Sequence, residues 1–221
     1  MGTDDSGRDV FSQFLHGTKI SLFIGILASG VSTLLGTIIG TLSGYFGGKV
    51  DYLLMRITDS FMVIPRFFLA LVIVAIFGAS MWNIILVIGF LGWPSPARLL
   101  RSQFLAEKEV AYVEAARTIG VSDTSIMIDE ILPNAFSPVI VNAALEIGFA
   151  ILLESELSFL GLGDPNMFSW GYMIYTTKRF MMMTPWLVLF PAIGISLVVI
   201  AFSLIGDTLN KIFNPRFHWA K

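Results

Sequence analysis

From Ile20 to Gly48 the chain carries no formal charge, and a run of that length has few stable homes. About 20 apolar residues in an α-helix cross the hydrocarbon core of a bilayer, so Ile20–Leu42 is read as a membrane span. Lys19 bounds it on one side and the stop Gly44-Tyr45-Phe46-Gly47-Gly48 on the other. A second uncharged block, Phe67–Ala97, is too long for one helix. Gly78-Ala79-Ser80 divides it into a hairpin of about Phe61–Phe77 and Trp82–Leu100, with Pro65, Pro94 and Pro96 at the inner ends. Further spans are expected at about Ala135–Leu153 and Trp186–Ile205, the latter bent at Pro191. Composition agrees: 14% of residues are charged, where a soluble domain carries roughly 25%. Five spans use about 100 residues, and the remainder suffices only for loops and interfacial helices. The expected fold is an all-α, polytopic membrane helix bundle of five spans.

Orientation follows from Lys and Arg, which are retained on the cytoplasmic side of short loops. Placing 43–60, 98–134 and the C-terminal tail inside leaves only Arg8, Lys19, Lys178 and Arg179 outside, and the other ten basic residues, Arg66 among them, inside. The chain then divides into an extracytoplasmic segment 1–17, a transmembrane domain 18–207 with an inner loop 98–134 and an outer loop 156–178, and a cytoplasmic tail 208–221. Five spans separate the termini and put the acidic N-terminus outside, with no earlier span to deliver it. A further helix preceding this sequence is expected.

Several function classes are excluded early. There is no Cys, and His16 and His218 lie near opposite ends, so neither a thiol nucleophile nor a resident metal is expected. A net charge of -2 provides no basic field for nucleic acid. Gly48-Lys49 lacks the first glycine of a phosphate-binding loop (Ser43) and its final hydroxyl (Val50), so no ATP site is expected in this chain. Met1-Gly2 with Ser6 matches a lipidation pattern only loosely and lies on the wrong side of the membrane. No nucleophile–base pair marks a catalytic residue.

The inner loop is the most informative stretch. Glu107–Ile119 reads as a helix, Gly120 as its left-handed terminator, and Asp123–Ile131 as a second helix with Ser122 or Asp123 as N-cap, stopped by Pro133. Ala115 and Ala116 would let the first helix enter a groove on another protein, with Glu114 and Arg117 at its rim; the competing reading is a helix lying on lipid. Glu114-Ala115-Ala116, Gly120 and Leu132-Pro133 are similar, at the same spacing, to the EAA signature of binding-protein-dependent ABC importer permeases. The chain departs from that signature in having Glu130, where Ile is usual.

Beyond this loop the chain resembles the dipeptide/oligopeptide branch of these permeases along nearly its whole length. The resemblance rests on Gly2-Thr3-Asp4 with Gly7-Arg8-Asp9, on Gly44–Gly48 followed by Asp51 and Arg56, on Leu157–Gly163 with Trp170-Gly171, and on Gly206-Asp207 with Asn214-Pro215-Arg216. It implies a permease core with a cytoplasmic coupling helix in the inner membrane, and two ABC ATPase subunits carrying ATP and magnesium. It also implies a second, different permease subunit, an extracytoplasmic solute-binding protein, and peptides or similar small solutes as cargo. Glu114, Ala115, Ala116, Arg117, Gly120, Leu132 and Pro133 would couple the chain to the ATPase. A self-sufficient channel or ion-coupled carrier is the rival reading; its expected signs, an intramembrane charge relay or an inverted repeat, are not visible apart from Glu146.

Gly36, Gly40 and Gly44 repeat every four residues on one face of the first span, a pattern that lets helix backbones approach closely. Glu146 falls inside the fourth span, where an ionised carboxylate costs about 2.5–3.5 kcal/mol on insertion scales, so it should face protein or water. It reads either as a pathway group attracting a cationic part of the cargo or as a hydrogen-bonded structural acid. Glu154 and Glu156, near the outer end, read first as interfacial anchors of a loop, since Gly161–Gly163 cannot continue a regular helix cheaply. Glu154 and Phe159 are also pathway candidates, since Glu156–Tyr175 has the irregular composition of a segment lining an outer mouth.

Overall fold

A computed structural model describes residues 2–213, and among these the regular structure is helical. The N-terminal motif is a compact turn. Asp4 accepts hydrogen bonds from the backbone N–H groups of Ser6 and Arg8, from Arg8 Nε at 2.8 Å and from Gln13 Nε2 at 2.7 Å. Burial pushes its carboxyl up, but the bonds from Gln13 and Arg8 outweigh burial and hold it below the usual carboxylate range. Asp9 then caps α1 (Val10–Phe46), accepting from Ser12 N at 2.7 Å.

At 37 residues α1 is about 55 Å long by helical rise and runs well past the hydrocarbon on at least one side. The chain turns at Gly47 into α2 (Gly48–Val63), then bends by 85° into α3 (Arg66–Phe77). The span expected over 61–77 is therefore broken. Pro65 has no N–H to donate and drives Ile64 into the extended region (ψ 125°), so no helix crosses the junction. Among the described residues, four helical segments are long and apolar enough to cross a membrane, and the bent pair α2–α3 makes a fifth if counted as one span.

Two other prolines behave differently. α4 (Met81–Gly92) and α5 (Pro94–Glu107) continue one another through Trp93, whose backbone stays helical. Pro94 and Pro96 sit in the first turn of α5, where a missing N–H costs little. The third span therefore extends to Glu107, beyond the expected Leu100. The inner loop carries α6 (Ala111–Thr118), the single turn α7 (Asp123–Ser125), a π-helical stretch Ile126–Ile131 and α8 (Leu132–Ala135).

Pro133 does not stop the second loop helix as expected; it occupies the first turn of α8. An α-helical proline ring collides with the carbonyl four residues back. Here the preceding turn has widened, and Leu132 N–H bonds to Met127 O, five residues back. α9 (Ser137–Leu157) is the fourth span, followed by a π turn Ser158–Leu162, α10 (Trp170–Thr177) and α11 (Trp186–Phe213), which contains Pro191 without interruption. α11 continues into the segment read as tail; Asn214-Pro215-Arg216 lie outside the described residues.

α1 is the axle of the bundle. Its Ile24 and Ala28 pack with Ile84, Ile85 and Ile88 of α4 in the largest apolar cluster, and its glycine face lies on α5. A Cβ added at Gly36 would stand 2.5 Å from Pro96 Cγ, at Gly40 2.6 Å from Ala97 O, and at Gly44 2.4 Å from Phe104 Cβ. Lipid tails are as apolar as Leu, so burial from water does not drive helices together in a membrane; close packing of this kind does.

Candidate functional site

The inner loop folds on a core of its own. Val113 and Ala116 of α6, Ile126 and Ile131 of the π stretch, Ala135, and Leu100 and Phe104 of α5 form one buried cluster with Tyr45 at the end of α1. Glu130, the departure from the family pattern, is exposed, and its neighbour Ile131 is fully buried. α6 ends in a Schellman motif: Val121 N–H bonds Ala116 O at 3.1 Å, Gly120 N–H bonds Arg117 O at 3.0 Å, and Gly120 has φ +84°. Ser122 caps the following turn by accepting from Ser125 N. Burial pushes the Tyr112 hydroxyl above its ordinary range, and the hydrogen bond it donates to Glu107 adds to that shift. The outward face of α6 presents Glu114, Ala115 and Arg117, with Ile119 80% exposed, while Ala116 faces the core. Leu132 is half-buried and Pro133 exposed on the adjoining turn.

Tyr45 ties this element to the membrane helices, a role that sequence reasoning missed. Its hydroxyl donates to Asp123, its carbonyl accepts from Lys108 Nζ at 2.6 Å, and Arg117 and Lys108 flank its ring at 6.0 and 5.6 Å. One helical turn away, Arg101 pairs bidentately with Asp51 at 2.5 and 2.6 Å, and Ser43 Oγ donates to the same carboxylate. The Gly44–Gly48 motif with Asp51 thus clamps α1, α2 and α5 together beneath α6.

Within the bundle, Glu146 is 8% exposed and faces Arg66, whose Nη1 lies 3.3 Å from each carboxylate oxygen. Arg66 Nη2 donates to Gly92 O at 3.3 Å. Arg66, counted with the cytoplasmic charges in the sequence, thus joins the start of α3 to α9 and to the end of α4. The signal visible in the sequence is that it is the charge at the N-terminal edge of a long uncharged block, next to the breaking Pro65. The pair lines a cavity of about 320 Å³ together with Phe67, Ile88, Phe149 and Glu156.

Glu154 stands apart from this cavity. Of its two readings, anchor and pathway group, the geometry favours the anchor: it is 1% exposed, enclosed by Ser158 Oγ at 2.7 Å, Ser169 Oγ at 2.6 Å and Ser155 Oγ at 3.5 Å. Ser169 is also the N-cap of α10, accepting from Tyr172 N. Glu154 therefore anchors the outer segment to α9. Trp170 wedges the same segment against α1, bonding Ser21 Oγ through its backbone and Phe14 O through its indole, and Asp164 accepts from Met81 N at the start of α4.

Phe159 lies on the exposed face of the π turn, its carbonyl bonded and its ring capped by Lys178. Glu154→Ala would leave three serine hydroxyls without their acceptor, at about 1–3 kcal/mol for each that stays buried and unsatisfied. The expected outcome is faster proteolytic cutting within 158–169 with unchanged protection of α6. Equal cutting in both proteins would remove the anchor role.

The match to a family model covers residues 36–219 and is described as binding-protein-dependent transport system inner membrane component. A glutathione transport system permease protein of Pectobacterium atrosepticum is 39% identical over 98% of this chain and 72% of its own length. An oligopeptide transport system permease protein of Haemophilus influenzae is 40% identical over 98% of this chain and 70% of its own. A dipeptide transport system permease protein of Alkalihalophilus pseudofirmus is 39% identical over 98% and 71%. Among solved structures, an inward-facing MetNI methionine ABC transporter chain superposes with a TM-score of 0.74 over 91% of this chain and 96% of that one, at 18% identity. The fold is the same at a distance where sequence alone says little.

Proposed function

The chain belongs to the family of binding-protein-dependent transport system inner membrane components, a multi-pass permease subunit of an ABC importer, and from that premise we propose how it works and what it carries. Its cargo is peptides or similar small solutes, as the names of its relatives suggest. A solute-binding protein delivers the cargo on the outer side, and a second, different permease completes the pathway. Two ATPase subunits, which hold the ATP and magnesium, grip the inner side at 98–134. The inner loop and the C-terminus are cytoplasmic, the side to which the basic residues point.

The observation that carries this reading is α6: a short helix with fixed ends, exposed Glu114, Ala115 and Arg117, and a base locked to α1 through Tyr45 and Asp123. A lever must be stiff to convert ATPase closure into permease rearrangement, and a Schellman stop above a buried apolar core provides that stiffness. ATP closes the ATPase pair, α6 moves with it, and the paired permeases turn from inward-facing to outward-facing; hydrolysis resets them.

The test is purification from a mild detergent extract followed by reconstitution. Stoichiometric ATPase subunits and peptide uptake that requires ATP and the binding protein are expected. Uptake by the isolated chain along an ion gradient would favour the rival carrier and end this reading.

A further inference from the structure

We propose that the Arg66–Glu146 cavity is a transit subsite for the charged ends of a short peptide. Arg66 takes the C-terminal carboxylate, and Glu156 at the far end of the same cavity takes the N-terminal ammonium. The proposal rests on the peptide-permease reading above and deepens it.

Three features carry it. The first is looseness. Arg66 and Glu146 approach no closer than 3.3 Å, whereas every other ion pair among the described residues lies at 2.8 Å or less. The second is spare capacity. A guanidinium has five N–H donors in a planar fork. Its three contacts here, two from Nη1 to Glu146 and one from Nη2 to Gly92 O, leave Nε–H and one Nη2–H for a second carboxylate. The Arg66 side chain is 38% exposed, so those donors can be reached from the cavity. Glu146 then acts as a positioning group that keeps the guanidinium at depth.

The third feature is the charge pattern. Glu156 lines the same cavity and forms no ion pair among the described residues. Ten residues of helix separate it from Glu146, about 15 Å by helical rise, which an extended peptide of about four residues spans. The wall between is apolar, with Phe67, Ile88 and Phe149, so side chains of many kinds are tolerated while the termini are held. A pathway serving varied peptides needs recognition of this sort, because the free ends are the one chemistry all such cargoes share.

The experiment uses the full importer, with its ATPases, partner permease and binding protein, reconstituted in liposomes. Uptake is measured by mass spectrometry for a mixed library of two- to five-residue Ala/Phe peptides in free, N-acetylated and C-amidated forms. The binding protein is identical in every sample, so a change in the ratio between forms reports the permease. Glu156→Gln is expected to lower the preference for free over N-acetylated peptides roughly tenfold, the size of one charge-assisted contact. The double variant Arg66→Gln/Glu146→Gln, which leaves no buried charge unpaired, is expected to lower the preference for free over C-amidated peptides by a similar factor. Ratios equal to wild type in both variants, with wild type transporting, overturn the subsite and leave the permease reading intact. Absence of peptide uptake by the wild-type importer overturns the permease reading, and the subsite with it.

Discussion

Gly40→Ala is expected to destabilise the bundle by about 1–3 kcal/mol, the usual range for overpacking, and Gly30→Ala, on the same helix, to leave it unchanged or slightly firmer. The contrast is geometric. A methyl at Gly40 would stand 2.6 Å from Ala97 O and 3.0 Å from Leu100 Cβ, and neither is the tip of a side chain that can swing away. Relief requires α1 and α5 to separate along the face that Gly36 and Gly44 share. At Gly30 nothing lies within 4 Å, and alanine restores roughly 0.5–1 kcal/mol of helix preference. Thermal unfolding in detergent should show a midpoint lowered by roughly 2–12 °C for Gly40→Ala, at about 2–4 °C per kcal/mol for a chain of this size. A midpoint at or above that of wild type would mean that α1 and α5 do not pack through these glycines.

The same face shows what sequence can and cannot disclose about a membrane chain. Small residues spaced by four are visible as letters, because one helical face is a local property; that they meet Pro96, Ala97 and Phe104 is not. Span positions were legible from the absence of charge, and all five expected regions contain helix. Their interruptions were not, because a proline has opposite effects by context: Pro65 ends a helix, Pro94 and Pro96 begin one inside a continuous span, and Pro133 is absorbed by a π turn. The partner of Arg66 was not legible for a related reason. A charge count weighs a residue by its neighbours in sequence, whereas the partner of Arg66, Glu146, is 80 residues away. Glu154 is legible as an acid in an apolar region with Ser155 and Ser158 beside it on the same helical run, but Ser169, the partner that joins α9 to α10, meets it only once the two are folded together.

Gly120→Val is expected to cut ATP-driven uptake by an order of magnitude or more while the importer still inserts, assembles and hydrolyses ATP. With φ +84° and no atom within 4 Å of a would-be Cβ, Gly120 is constrained by its backbone and by no neighbour. A left-handed residue with a side chain costs roughly 1–2 kcal/mol, and a β-branched one is a genuine outlier there. Yielding would break the bonds from Gly120 N–H to Arg117 O and from Val121 N–H to Ala116 O, freeing the end of α6 from the core that Ala116 and Val121 share. The element would stay attached through Tyr45 and Asp123 but no longer move as one piece, so force applied at Glu114 and Arg117 would be lost in the turn. Gly120→Asn separates this mechanism from simple loss of the residue: asparagine tolerates the left-handed region better than other side chains and should restore most of the uptake. Paired uptake and ATPase assays on both variants decide the matter, since normal uptake in Gly120→Val would show that the stiffness of this turn has no part in coupling.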